Sequence, residues 1–301
     1  GQIPGMCPEP LYPEEKAQVG PEENGAFWIN VTVPADAKPE PRTFKVSLTI
    51  DDEYHFPAWQ NPKPVTVDMQ VRLDVKPLTI KPRKDFPVTQ WINIESIWDY
   101  YKIEPFGERF WQLADAYVAD LVSHGVDCVY SPIFNNRHEL MPRPGQLLRV
   151  RRTAADTYEF NFDDVRRWIR IALKHGANYL EWTHLFTPAP TSAKHPQRIY
   201  ERWDKTGEIL WPPETLASSD TYRKFLQQFL PKFREVLAEE KILDRSFFHC
   251  ADEPDGPEQT ADYRKARALL KELAPWMKVL DAMSDTTFAT EGLCDMPIPS
   301  I

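Results

Sequence analysis

From "VTQWINI" at residues 88–94 to "CDMPI" at 294–298, short apolar runs alternate with longer segments whose apolar residues recur at helical spacing. "VTQWINI" precedes Arg109–His124, "DCVYSPIF" precedes Asp163–His175, "NYLEWTHLF" precedes Asp220–Glu240, and "SFFHCAD" precedes Glu258–Leu273. "KVLDAM" and "CDMPI" close the series. End signals agree with these limits: Gly125 and Gly176 follow last turns that contain histidine, Asn161 can cap a helix beginning at Phe162, and Pro257 suits a first helical position. Such alternation predicts a parallel sheet with right-handed crossovers, most simply a (β/α) barrel. Only about six strands are found where a closed barrel has eight. The expected α/β fold is therefore a (β/α)8-type TIM barrel truncated after its sixth strand, and the chain is expected to be a fragment.

The first third has period two instead. "FWINVTV" places Phe27, Ile29, Val31 and Val33 on one face, "FKVSLTI" does so with Phe44, Val46, Leu48 and Ile50, and "VTVDMQVRLDV" alternates from Val65 to Val75. Strands half-buried on one side predict a partial antiparallel β-sandwich over 1–82, followed by the barrel over 83–301.

Composition narrows the partners. No apolar run approaches the ~18 residues of a membrane span. Net charge is −9 with Lys and Arg scattered along the chain, which excludes an obvious nucleic-acid footprint. Cys7, Cys128, Cys250 and Cys294 form no CxxC pair, so neither a redox motif nor a thiolate zinc site is expected. The compartment is left open between a secreted or periplasmic protein that has lost a leader and a cytoplasmic one.

In a barrel the chemistry sits at the C-terminal ends of the strands. There "FFHCADEP" places Asp252 and Glu253 side by side at the end of the fourth strand. Regular alternation would send them to opposite faces, so the chain must curl at Glu253, and Pro254 favours that exit. Two carboxyls held close and partly buried do not both ionise easily, so one keeps its proton near neutral pH. A protonated carboxyl beside an ionised one suits glycoside cleavage. Adjacent residues fit poorly the ~5 to ~9.5 Å separation of ordinary retaining and inverting enzymes, and fit better the substrate-assisted variant in which the sugar's 2-acetamido oxygen is the nucleophile. The plainer alternative is a surface pair at the entry to the next helix.

The order "NGAFWINVTVPADAKP", "FPVTQWINIES", "YEFNFDDVRRWIRIALKHGANYLEWTHLF" and "FFHCADEP" resembles glycoside hydrolase family 123 and the related domain-of-unknown-function 4091 group, from about Pro21 to the end. The resemblance implies an N-terminal β-sandwich and a (β/α)8 catalytic barrel. It also implies exo-hydrolysis of β-linked N-acetylgalactosamine through an oxazolinium intermediate. Glu253 would be the general acid/base and Asp252 would steady the acetamido group. The sequence departs from the family pattern in its short barrel and in the missing opening strands of the sandwich.

Other strand-end residues are candidates for holding a sugar. Trp182 and His184 share a facing by alternation, with Glu181 on the opposite side. Trp91 and Asn93 share one on the first strand, and Tyr130 and Asn135 lie at the end of the second. Trp211 sits in the long third loop with Tyr200 and Trp203. Each has a structural alternative: a core tryptophan, barrel filling, or a packed lid. His184, His249, Asp252 and Glu253 are imaginable as metal ligands, but the first strand lacks His-x-His and alternation turns His249 away from Asp252. No metal or cofactor is expected. The expected partner is a carbohydrate or glycoconjugate, with a non-catalytic carbohydrate-binding or scaffold protein of the same fold as the alternative.

Overall fold

A computed structural model of the chain describes residues 15–19, 25–50, 63–80, 86–135, 142–188, 191–203, 206–283 and 285–299. Cys7 lies outside the described residues. The chain divides into two compact units, Gly1–Arg83 and Lys84–Ile301.

In the first unit β1 (Pro41–Ile50) and β2 (Val65–Asp74) form a two-stranded antiparallel ladder. Its register pairs Phe44 with Val71, Val46 with Met69, and Leu48 with Val67, so the alternating apolar residues share a face as the period predicts. Residues 27–33, expected as a strand, carry no strand ladder, and Phe27, Ile29, Val31 and Val33 are exposed. Alternation makes a segment fit to pair, yet a strand exists only where a neighbour accepts its backbone hydrogen bonds.

The second unit begins with β3 (Thr89–Gln90), α1 (Ile94–Tyr101), α2 (Glu108–Ser123) and β4 (Cys128–Ser131). A hairpin follows, β5 (Arg149–Ala154) and β6 (Thr157–Asn161), then α3 (Asp163–Lys174) and β7 (Tyr179–Trp182). After β7 come β8 (Tyr200–Arg202), β9 (Thr206–Ile209) and α4 (Asp220–Glu239). The chain continues through β10 (Ser246–Phe248), α5 (Gly256–Leu273), β11 (Lys278–Met283), α6 (Thr287–Thr290) and β12 (Met296–Pro299).

Six of these strands form one parallel sheet in the order β12-β11-β10-β7-β4-β3, a half-barrel in which chain order and spatial order coincide. β5, β6, β8 and β9 make a separate antiparallel sheet, ordered β6-β5-β8-β9, from the excursions that follow β4 and β7. This sheet is an addition to the expected strand–helix alternation. Its hairpin signal was present in "RVRRTAADTYEFN", where the turn needs positive φ and Asp156 supplies it at 52°.

One face of the parallel sheet packs on the helices. Val129, Leu180, Trp182, Phe248 and Val279 share one core with the rings that α4 stacks at every fourth residue, Phe225, Phe229 and Phe233, and Trp182 and Phe248 both meet Phe233 edge-on. Removing one of these rings, as in Phe229→Ala, is expected to cost about 3–5 kcal/mol. One indole pins α3 to the sheet, Trp168 Nε1 donating to Ser131 Oγ, and another joins two strands within it, Trp182 Nε1 of β7 donating to Ser246 Oγ of β10. The opposite face carries a smaller cluster of Cys128, Phe247 and Leu280.

Helix ends follow the sequence signals. Gly125 and Gly176 take φ of +95° just past α2 and α3, and the Asn161 carboxamide accepts a bond from Asp163 N at the start of α3. Ser219 Oγ caps α4 by accepting from Tyr222 N. No helix among the described residues is long and apolar enough to cross a membrane.

Candidate active site

On the face away from the helices, Tyr130 of β4 and Glu181 of β7 occupy one rung of the sheet. Trp91, one residue past the end of β3, lies over Tyr130 with ring centroids 4.9 Å apart and planes at 24°. Tyr130 is fully buried whereas Trp91 is 41% exposed, so the stack presents an indole to solvent over a phenol floor. His184 meets Trp91 edge-on at 5.5 Å and lies 4.4 Å from the ring of His249.

Beneath these rings is a buried charged network. Glu181 accepts from Trp91 Nε1 at 2.7 Å and from the Thr89 hydroxyl. Its Oε1 also lies 2.6 Å from His249 Nε2, and His249 Nδ1 lies 2.7 Å from Asp281 Oδ1. Asp281 Oδ2 accepts from the Tyr263 hydroxyl at 2.6 Å and from the N–H groups of Cys250 and Ala251 at 3.1 and 3.4 Å. Burial alone would favour a neutral imidazole, but bonds to Asp281 and Glu181 overcome it and raise His249 from 6.5 to about 10. The ring is drawn toward its charged form by the two acids on either side of it. Burial also works against ionised Glu181, yet its bonds from His249, Thr89 and Trp91 hold it below the ordinary carboxylate value. Burial raises Asp281, with His249 and Tyr263 opposing.

The strand of the acid pair stops at Phe248, and the chain turns at Glu253, though not in the extended conformation that a following proline favours. Glu253 takes a positive φ of 44°, a left-handed conformation rare outside glycine, and Pro254 is buried behind it. Ser192 Oγ, from the loop after β7, donates to the Asp252 carbonyl at 3.2 Å. Asp252 is partly buried and Glu253 exposed. Burial raises Asp252 from 3.8 to about 6; the His249 charge lowers it, and Asp281, Glu253 and Glu181 raise it. Asp252 is thus drawn toward neutrality.

The other candidates divide. Trp91, Tyr130 and His184 are brought together. Trp182 is not: it faces the helix layer, edge-on to Phe233 at 4.9 Å. Trp182 and His184 therefore do not share a facing, and Glu181 is the strand residue on the His184 side. The reason is that β7 ends at Trp182, so alternation no longer governs residue 184. The same applies to His249, one residue past β10, whose charge reaches Asp252 despite the expected opposite facing. Trp211 is buried against Tyr158, Tyr222 and Phe225. Asn93 stands at the start of α1, with its carbonyl accepting from Ser96 N, and Asn135 is buried, its carbonyl accepting from Gln197 Nε2.

Sequence reasoning missed the network of Glu181, His249 and Asp281. The available signal was one charged or titratable residue in or just past each of three apolar runs, "YLEW", "FFHC" and "LDAM", since a buried charge requires a partner. His184, His249 and Asp281 hold donor atoms within 4.8 Å of one another, as metal ligands would. Both nitrogens of His249 and both oxygens of Asp281 are already hydrogen-bonded, however. These residues suit an ion network better than an open coordination sphere.

Two clefts lie beside this group. One of about 730 Å3 runs along α5, lined by Phe186, Lys194, Leu216, Arg223 and Leu269 among others, and touches neither acid. A smaller one of about 250 Å3 flanks the turn at Ser192, Asp255 and Pro257. Neither gathers shifted carboxyls and an exposed ring as the strand ends do, so chemistry places the candidate site at the strand ends.

Residues 91–301 match the family model for the glycoside hydrolase 123 catalytic domain. In structure the chain is similar to a family 123 glycoside hydrolase from Clostridium perfringens, studied for the details of glycolipid glycan hydrolysis. The TM-score is 0.64 at 16% identity, covering 89% of this chain and 46% of that one, so the likeness is one of fold. The chain spans less than half the length of that relative. An endo-1,4-beta-mannanase from Rhizomucor miehei overlaps 57% of this chain and 52% of its own at 12% identity, with a TM-score of 0.29, which carries no argument. No curated protein matches the chain.

Proposed function

The chain belongs to glycoside hydrolase family 123, and from that premise we propose that it is a glycosidase that removes a terminal β-linked 2-acetamido sugar, N-acetylgalactosamine first among them, with retention of configuration. The observation that carries this reading is the placement of the pair: a partly buried Asp252 next to an exposed Glu253 in a left-handed turn, at the strand ends that also present Trp91.

In the proposed reaction the acetamido carbonyl oxygen attacks C1 as the glycosidic C1–O bond breaks, and Glu253 gives its proton to the departing oxygen. Above about pH 6, where Asp252 is ionised, its carboxylate accepts the acetamido N–H and offsets the positive charge of the oxazolinium ring. Glu253, now a carboxylate, takes a proton from the water that attacks C1, and the ring opens to the retained product. The Trp91 indole offers a face for the apolar side of the sugar.

The exposure of Glu253 favours a second reading, a carbohydrate-binding or scaffold protein without chemistry. Release of nitrophenol from a nitrophenyl N-acetyl-β-galactosaminide separates the two. The first reading expects turnover by the parent chain and its loss in Glu253→Gln. Sugar binding without release supports the second.

A further inference from the structure

Both walls of the candidate site lie just beyond regular structure. Trp91 follows the last laddered residue of β3, and the acid turn follows the last of β10. Each is held by a side chain from another strand. Glu181 of β7 accepts from the Trp91 indole, and Asp281 of β11 accepts from the N–H groups of Cys250 and Ala251, which sit immediately before Asp252. His249 joins the two carboxylates, 2.6 Å from one and 2.7 Å from the other. A continuous chain of hydrogen bonds therefore crosses the sheet from the indole to the acid turn.

We infer that Asp281, His249 and Glu181 form a positioning brace that fixes the Trp91 indole and the Asp252–Glu253 turn relative to each other, and that a change at Asp281 is felt at Trp91. The three act through their neighbours rather than on substrate. Three features distinguish the brace from a buried ion triad that merely fills space. Each carboxylate turns one oxygen to the central imidazolium and also holds a group at the strand ends. Charge-assisted bonds of this kind are roughly twice as strong as neutral ones and are directional, so they fix orientation as well as charge. Finally, a displacement of about 1 Å at a reacting group can cost about 100-fold in rate, so fixed geometry has a catalytic consequence. For catalysis the inference rests on Asp252 and Glu253 being the acid pair; for the coupling between Asp281 and Trp91 it does not.

The test uses the 301-residue chain with 15N-labelled indoles, the Trp91 signal being assigned by its loss in Trp91→Phe. Asp281→Asn, three hydrogen bonds away from the indole, is expected to move the Trp91 N–H resonance and to speed its hydrogen exchange at least ~10-fold, leaving the indoles of Trp168 and Trp182 in place. Tyr263→Phe keeps the side-chain volume and removes one bond to Asp281; it is expected to move the same resonance less, in the same direction, and it serves if the first variant does not fold. An unchanged Trp91 signal in either folded variant overturns the brace.

With a nitrophenyl N-acetyl-β-galactosaminide, Asp281→Asn is expected to lower kcat roughly 10- to 100-fold. Trp91→Phe keeps the ring but loses its donor, and is expected to act mainly on KM. A coupled Trp91 signal in a chain that cleaves no glycoside leaves the brace standing and removes the proposed activity. An active parent whose Trp91 signal ignores both variants removes the brace alone.

Discussion

Asp281 and His249, which come from neighbouring strands of the half-barrel, meet with Oδ1 2.7 Å from Nδ1, and both side chains are almost completely buried. An imidazolium held in this way contributes to stability only while it stays charged. Below 6.5 the ring is protonated in the folded and unfolded chains alike, and the contact contributes fully. As pH rises past that value the unfolded chain loses the proton first, and stability falls until the folded ring deprotonates near 10. Denaturant midpoints between pH 6 and 10 should decline by the equivalent of about 3–5 kcal/mol. A flat profile would show that the ring is neutral in the folded protein.

Asp252 has the opposite consequence for stability. Its carboxyl is raised from 3.8 to about 6, so the folded state loses stability as pH rises from about 3.8 and carries the full penalty above 6. Asp252→Asn removes the charge while keeping the shape. At pH 7.5 this variant should be more stable than the parent by about 1–2 kcal/mol, after allowance for partial exposure. The difference should vanish below pH 4, where the parent is also neutral. Equal melting temperatures at both pH values would place Asp252 in full solvent.

At Glu253 strain and chemistry can be separated. A φ of 44° is unfavourable for a residue with a Cβ, so Glu253→Gly should raise stability by about 0.5–1 kcal/mol. Glu253→Gln keeps the strain and should leave stability within about 0.5 kcal/mol. Under the proposed mechanism both lose the general acid and about 100- to 10,000-fold in kcat. A Gln variant with parental kcat would remove Glu253 from the reaction.

The excursion after β7 is anchored by one buried ion cluster. Asp164, at the start of α3, accepts from Arg202 at 2.7 Å and from Arg149 at 2.8 and 3.0 Å, while the Arg202 guanidinium lies 3.6 Å over the Phe106 ring. Asp164→Ala strands Arg202 without its carboxylate, and unfolding experiments should register a loss of about 3–5 kcal/mol. A loss below about 1 kcal/mol would mean that water reaches the guanidinium.

The alternation of the six parallel strands with α2 to α5, the limits of those helices, and the turn at Glu253 were legible along the chain because each depends on spacing, capping or side-chain alternation within a few residues, whereas α1 and the four antiparallel strands β5, β6, β8 and β9 were not. The half-barrel sheet follows from that succession. The charged network does not. Glu181 and His249 are 68 residues apart and His249 and Asp281 are 32 apart, and they meet because parallel pairing sets β7, β10 and β11 side by side. The facings of Trp182, His184 and Trp211 were equally out of reach, since strand periodicity stops at the last hydrogen-bonded rung and beyond it side chains turn to wherever packing and charge are satisfied. Local chemistry wrote the elements, and the contacts between strand ends decided which of their residues share a site.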